Sequence, residues 1–390
     1  MKKYILIILC CLTSFPLWSY NVNMIVEHYS VDQGLPNNTV NCTLKDRDGF
    51  IWFGTWYGLC CFDGVKFKTF NKQEHDSDVP PRKIQRIVED KNGYIWVKTI
   101  DRKLYVFNKV TECFHAVYDD MKNYSENIQV IKLQNTAEGD VLLLTKDKNL
   151  LLAGVDEKGQ VTIKILFDSR DEINKHDYTL KHHVLCETEE YISWIGTDYK
   201  VAAVHKGSEL ASRPADFITS KINSGDKDSF TSFFEDGRKV WVGDRAGIFY
   251  SIDVRTGLVN RYVLSEIKGA ISNLLVTPAG YVYLSVAGQG TYEYDLAERR
   301  LQKINTEMND AMVTHAFIDQ YDKIWFHENE KALIYYDPLN HTAKRFPFTM
   351  FGKITTLYSE DAGERGLFFL SPAGEAWLFD REHACLLYTS

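Results

Sequence analysis

One phrase recurs eight times along this chain of 390 residues, and it constrains the fold more than any other property. Its clearest copies read Lys-Asp-Arg-Asp-Gly-Phe-Ile-Trp-Phe-Gly-Thr over residues 45–55 and Glu-Asp-Lys-Asn-Gly-Tyr-Ile-Trp-Val-Lys-Thr over residues 89–99. Weaker copies lie at 135–145, 186–197, 234–244, 276–286, 318–328 and 359–371. The anchor residues are Trp52, Trp96, Leu142, Trp194, Trp241, Tyr283, Trp325 and Phe368, spaced by 42 to 52 residues. That period is the one expected of a β-propeller blade, a unit of four strands. The array accounts for nearly the whole chain and leaves little sequence for a separate catalytic domain.

Each copy parses into four strands and three turns. In the first, residues 39–46 form strand one and Arg47-Asp48-Gly49 a tight turn, where Gly49 can take a positive φ. Residues 50–54, 58–63 and 65–70 supply the other three strands. Phe50-Ile51-Trp52-Phe53 is apolar on both faces, as a strand buried between neighbouring blades requires. Lys66 to Phe70 alternates, as an outer strand with one wet face should. The aromatic content, with 22 Tyr, 22 Phe and 8 Trp, suits such sheets. No helix-period segment of useful length appears beyond the N-terminal segment. The fold expected is all-β: a propeller of four-stranded antiparallel blades, about seven of them closed, with an eighth repeat of three strands at the C-terminal end. An eight-bladed ring is the alternative, with residues 24–30 as the strand that clasps first blade to last. The domain division is then 1–20, 21–350 and 351–390. Trp52, Trp96, Trp194, Trp241, Tyr283 and Trp325 recur at one structural position and are expected in the core.

The N-terminus reads as a secretion signal over residues 1–20: Lys2 and Lys3, then an apolar run too short to span a bilayer. Export is therefore expected. A net charge of −8 without a basic block gives no electrostatic support for nucleic-acid binding. Cys42, Cys60, Cys61, Cys113 and Cys186 have no metal-ligand spacing and read as small buried hydrophobes. Residues 385–390 look foreign to the repeat, and the chain is expected to stop within a longer gene.

The opening Tyr29-Ser30-Val31-Asp32-Gln33-Gly34-Leu35-Pro36-Asn37-Asn38-Thr39-Val40 resembles that of the periplasmic sensor region of Bacteroidetes hybrid two-component histidine kinases. Asp48-Gly49-Phe50-Ile51-Trp52-Phe53-Gly54-Thr55, then Gly58-Leu59 and Phe62-Asp63-Gly64, is similar to that family's regulator-propeller repeat. The match is strong over residues 29–70, good over 84–117 and degenerate afterwards. The resemblance implies an N-terminal sensing part, with a second propeller, a membrane span and a kinase further on. It also implies a homodimeric parent and ligands drawn from polysaccharide breakdown. No Gly-rich nucleotide loop and no kinase chemistry is encoded in the 390 residues.

Ligands of propellers usually meet the loops at one end of the ring. The loops between second and third strands share one end. They carry Trp56, Tyr57, Arg102, Lys148, Tyr199, Arg245, Gln289 and Asn329, the candidate ligand-binding residues. Aromatic faces stack on pyranose C–H groups while polar side chains take up hydroxyls. Trp56-Tyr57 stands out, because a tight turn does not need two large aromatics; Asp, Asn and Gly at the other loops are what turns use anyway. His182-His183 are adjacent and so point to opposite sides of a strand, which argues against a metal. Carboxylates are numerous, but none can be paired at the separation a glycosidase needs. No catalytic residue, metal or cofactor is expected. The leading expectation is a periplasmic oligosaccharide-sensing propeller. A secreted propeller lyase or glycosidase and a protein-binding scaffold are the other two readings.

Overall fold

The computed structural model describes residues 31–70, 80–122, 129–169, 180–196, 201–207, 215–216, 230–304, 313–319, 322–328, 331–347 and 349, and the strands Tyr358–Asp361, Gly366–Leu370, Ala376–Asp380 and Cys385–Leu387. The expected signal segment and the clasp strand at 24–30 lie outside the described residues.

The repeats fold as sheets of four strands, each an antiparallel meander in chain order. In blade 1 the strands are Val40–Lys45, Ile51–Thr55, Gly58–Phe62 and Phe67–Phe70, within two residues of the expected bounds. Blades 2 to 7 repeat the pattern over residues 84–116, 130–167, 180–216, 230–263, 271–303 and 313–347. The last repeat also forms four strands rather than three, because Cys385–Leu387 pairs with Leu378–Asp380. The first strands of blades 1, 2 and 3 lie side by side, as do those of blades 4 to 7, so the first strand of each sheet is the inner one. The inner strand of blade 1 also lies beside the first two strands of the eighth sheet. That contact is the neighbour relation of the eight-bladed alternative. The helical content among the described residues is one 3₁₀ turn, Val31–Gln33, one four-residue helix, Tyr118–Met121, and a 3₁₀ residue at Thr349.

Second strands are buried along their whole length, as at Ile51–Thr55, Ile95–Thr99 and Val141–Thr145. The reason is that apolar faces on both sides meet neighbouring blades. One core cluster joins Trp52, Leu59 and Phe70 of blade 1 to Ile87, Val97 and Phe107 of blade 2. Trp52, Trp96, Trp194, Trp241, Tyr283 and Trp325 are all buried in such clusters or seams.

Four of the anchors are held by a device the repeat encodes, while Trp194 follows Thr188, whose hydroxyl accepts from the Tyr191 N–H. Asp46, Asp90 and Asp319 lie six residues before Trp52, Trp96 and Trp325, and Asp236 five before Trp241. Each carboxylate accepts the indole Nε1–H at 2.8–3.0 Å. Its other oxygen accepts backbone N–H groups and closes the turn, as Asp46 does with Asp48 and Phe50. A buried indole donor without a partner would cost about 1–3 kcal/mol, more than a turn residue contributes by itself. Where the anchor is Leu142 or Tyr283, the position is Thr136 or Thr277. Their hydroxyls still close the turn, through the N–H of Asp140 and Tyr281.

Neighbouring blades are also stitched through a bulge in the inner strand, which recurs after Val40, Ile84, Phe230, Ile271 and Val313. The extra residue turns its side chain to the next blade. Asn41 donates to the carbonyl of Ile84, Thr231 to that of Ile271 and Ser272 to that of Val313, at 2.7, 2.7 and 3.2 Å.

Candidate ligand-binding face

The loops between second and third strands are joined to one another by backbone hydrogen bonds. Trp56 donates its N–H to Thr39 and accepts from Lys83, whose own carbonyl accepts from Ile100. Arg102 accepts from Val130, and Lys146 donates to Gln129. This belt ties the loops of blades 1, 2 and 3 into one continuous surface, at the end of the ring where the chain enters each inner strand. The same bond recurs between Ala287 and Ala270 in blade 6.

Trp56 and Tyr57 form the whole two-residue loop of blade 1. They are 38% and 61% exposed, although large aromatic side chains elsewhere in the chain are mostly interior. The loop is held from beneath: Thr55 donates its hydroxyl to the Gly58 carbonyl, and Gly58 takes φ +140°, a conformation glycine adopts without strain. Lys83 Nζ lies 5.5 Å from the centre of the Trp56 ring, a cation–π distance. Ile100, 44% exposed, extends the apolar surface into blade 2.

Arg102 sits at the tip of the blade 2 loop with φ +68°, and Lys148 takes the equivalent place in blade 3 with φ +72°. Positive φ is uncommon for such residues and fixes both side chains at the loop tips. Arg102 is exposed. Lys148 is half-buried, and burial holds its ammonium below the ordinary range. A cavity of about 410 Å³ opens beside this loop, between the third strand of blade 2 and the helix Tyr118–Met121. Arg102, Tyr105, Tyr118, Met121 and Gln129 contribute to its wall. Its size falls within the range of small-molecule sites, about 300–1,000 Å³.

Arg245 and Gln289 lie on the corresponding loops of blades 5 and 6. Arg245 is exposed, with its loop closed by Asp244, which accepts from Ala246 and Ile248. Gln289 has a structural task instead. Its Oε1 accepts from Lys268 and its Nε2 donates to Glu266, clamping the segment that leads into its own blade. Tyr199 and Asn329 lie outside the described residues. The face thus gathers Trp56, Tyr57 and Arg102, with Lys148 one blade further on.

Sequence reading missed Lys98. It follows Trp96 by two places, where blade 1 has Gly54 and blade 5 has Gly243. A side chain at either glycine would run into the next blade, against Ile84 or Ile271. Blade 2 nevertheless carries a lysine there, 4% exposed, hydrogen-bonded to Gln85 Oε1. Burial, then the charge of Arg102, pushes its ammonium down to about 8. The signal was present in sequence as a broken Trp-x-Gly pattern.

The opposite end of the ring holds acid clusters with internal partners. Asp46, Asp48 and Glu89 converge closely enough to hold a cation. Lys109 already supplies one, its Nζ lying 3.1, 2.7 and 2.7 Å from the three carboxylates. The group is therefore a seam between blades 1 and 2 and not a candidate metal centre. Cys42, Cys60, Cys61, Cys113 and Cys186 form no disulfide among the described residues. Burial pushes the Cys61 and Cys186 thiols up to about 12, so neither is poised as a nucleophile. His182 and His183 lie in the inner strand of blade 4, and their side chains lie outside the description.

Residues 34–57 match the family model described as two component regulator propeller. The chain is also 33% identical over 84 residues to histidine kinase P4 of Formosa agariphila, which is 20% of this chain and 6% of that protein. Among solved structures it resembles the extracellular domain of a putative hybrid two component system from B. thetaiotaomicron: 15% identity, TM-score 0.47, covering 89% of this chain and 52% of that one. Sqt1 of Saccharomyces cerevisiae shares the fold at 11% identity and TM-score 0.60, covering 92% and 99%. Residues 34–57, within the segment resembling Bacteroidetes sensors, thus carry a two-component regulator propeller repeat. The chain is a propeller that spans a small part of the kinase and about half of the extracellular domain it matches.

Proposed function

We propose that this propeller is the periplasmic sensing part of a hybrid two-component histidine kinase and that its loop face binds an oligosaccharide. The regulator-propeller repeat at residues 34–57 is the observation that carries the sensor class. The local likeness to a histidine kinase supports it. The exposed Trp56-Tyr57 pair carries the ligand class: two adjacent aromatic faces on a pinned loop are a pre-formed stacking platform for sugar rings, flanked by Arg102 for hydroxyls. The portion described here binds and does not catalyse. Binding would shift a dimeric parent towards its signalling state by no more than the difference in affinity between the two states.

Calorimetric titration of the purified propeller with a panel of plant and animal oligosaccharides tests this reading. A saccharide that binds the parent and is lost in Trp56→Ala, without turnover, is the expected result. Sustained product formation would instead make the propeller an enzyme. Binding untouched by Trp56→Ala and Tyr57→Ala would move the site off this face.

A further inference from the structure

We infer that Lys98 and Arg102 form a receptor for one compact anionic group, and that the ligand of the loop face carries a carboxylate or a sulfate. The inference rests on the ligand reading above and narrows it. Three observations carry it.

The first is placement. Lys98 and Arg102 flank the end of one hairpin: Lys98 pairs with Leu104, and the Arg102 N–H bonds to the carbonyl of Thr99, the residue after Lys98. Arg102 borders the cavity beside that hairpin.

The second is the missing counter-charge. A buried ammonium is normally matched by a carboxylate. Lys98 has an amide oxygen for its partner and no paired carboxylate among the described residues, and the charge of Arg102 that bears on it is of like sign. Arg102 has no side-chain partner among the described residues. Lys109 shows the ordinary solution in the same blade, an ammonium among three carboxylates. Blade 2 therefore builds one compensated lysine at the turn end and one uncompensated lysine at the loop end. An anion between Lys98 and Arg102 would return the first to its usual state and give the second a bidentate partner.

The third is the local charge. The chain as a whole has 45 Lys and Arg against 53 Asp and Glu. Among the described residues the loop end of blades 1 to 3 reverses that balance: Arg82, Lys83, Arg102, Lys103, Lys122, Lys146 and Lys148 outnumber Asp101, Asp120, Asp147 and Asp168. Such a surface raises the local concentration of anions.

Titration calorimetry with a galacturonate trisaccharide, its neutral galactose counterpart and a sulfated galactose trisaccharide tests the inference on the parent, Lys98→Met and Arg102→Gln. The acidic sugars should bind at least tenfold tighter than the neutral one. Each variant should lose at least tenfold for the acidic sugars and change the neutral one less than twofold. The order of uronate and sulfated sugar identifies which acid the receptor takes. Arg102 is exposed, so its variant reports even if Lys98→Met folds poorly. Equal affinity for neutral and acidic sugars, or acidic binding unchanged in Arg102→Gln, overturns the inference. If a neutral sugar binds and is lost in Trp56→Ala with no acid preference, the stacking face stands and the anion receptor falls. If no saccharide binds, both fall.

Discussion

Trp96 and Trp56 put the same side chain at opposite ends of the ring. Trp96 is fully buried, and its indole N–H is held by Asp90, itself 1% exposed. Trp56 is more than a third exposed, its backbone tied into the fold and its ring met by Lys83 Nζ. The turn end repeats one device, an Asp for the indole at Trp52, Trp96, Trp241 and Trp325 and a turn-closing Thr at Leu142, Trp194 and Tyr283. The loop end repeats its frame but not its tips: Thr55, Thr99 and Thr145 each close their loop through the hydroxyl, while the tips carry Trp56-Tyr57 in blade 1, Arg102 in blade 2, Lys148 in blade 3 and a clamping Gln289 in blade 6. Repetition marks the end that builds the ring. Departure from repetition at the tips is the ground for proposing a ligand face there.

Substitutions at the two ends should separate by size, and equal effects would break the contrast. Trp96→Ala should cost about 4 kcal/mol in a denaturant melt, from the cavity and the stranded Asp90. A loss below 1 kcal/mol would mean that the anchors are not core. Lys109→Met should cost about 2 kcal/mol, because Asp46 and Glu89 would remain buried together without their cation. That seam has an acid signature. Hydrogen bonding to Lys109, with its charge, holds the Asp48 carboxyl below its usual 3.8. The folded pKa is depressed, so this contribution is present above pH 3.8 and is lost as pH falls through the lower folded value. In Lys109→Met that part of the acid sensitivity should disappear.

Glu235 gives the opposite sign. Burial raises it to about 7 from 4.5, opposed by a hydrogen bond from the Glu187 N–H and reinforced by the Glu187 charge. The folded form holds its proton longer, so stability falls as pH rises from 4.5 to 7. Glu235→Gln keeps the acceptor and removes the charge. It should gain about 2 kcal/mol at pH 8 and nothing at pH 4, read from melts at the two values. The smallest effect is expected at the loop end: Trp56→Ala should stay within about 0.5 kcal/mol of the parent. A larger loss would make Trp56 a structural residue and remove the ground for a ligand platform.

Much of the ring was legible because each blade repeats its own strands within about 45 residues, and local pattern fixes strand type and burial. The six aromatic anchors and the four strands of blade 1 follow from that pattern alone. What could not be read are contacts between blades. Lys109 meets Asp46 across 63 residues of chain, and Asn41 meets Ile84 across 43. The loops that form the candidate face were legible. Gln289 reads as a candidate ligand contact because it is an amide on a loop between second and third strands; its structural partners Glu266 and Lys268 lie before its own inner strand, where the repeat gives no sign of them. Lys98 escaped because a lysine within an apolar strand reads as an outward-facing residue until the next blade is in place.

The division of labour between the two ends is tested most directly by hydrogen–deuterium exchange of the propeller with and without a bound oligosaccharide. Protection should appear at residues 55–58, 99–103 and 145–149, with the turns at 46–50, 90–94 and 136–140 unchanged. Protection confined to the turns, or spread evenly over both ends, would contradict it.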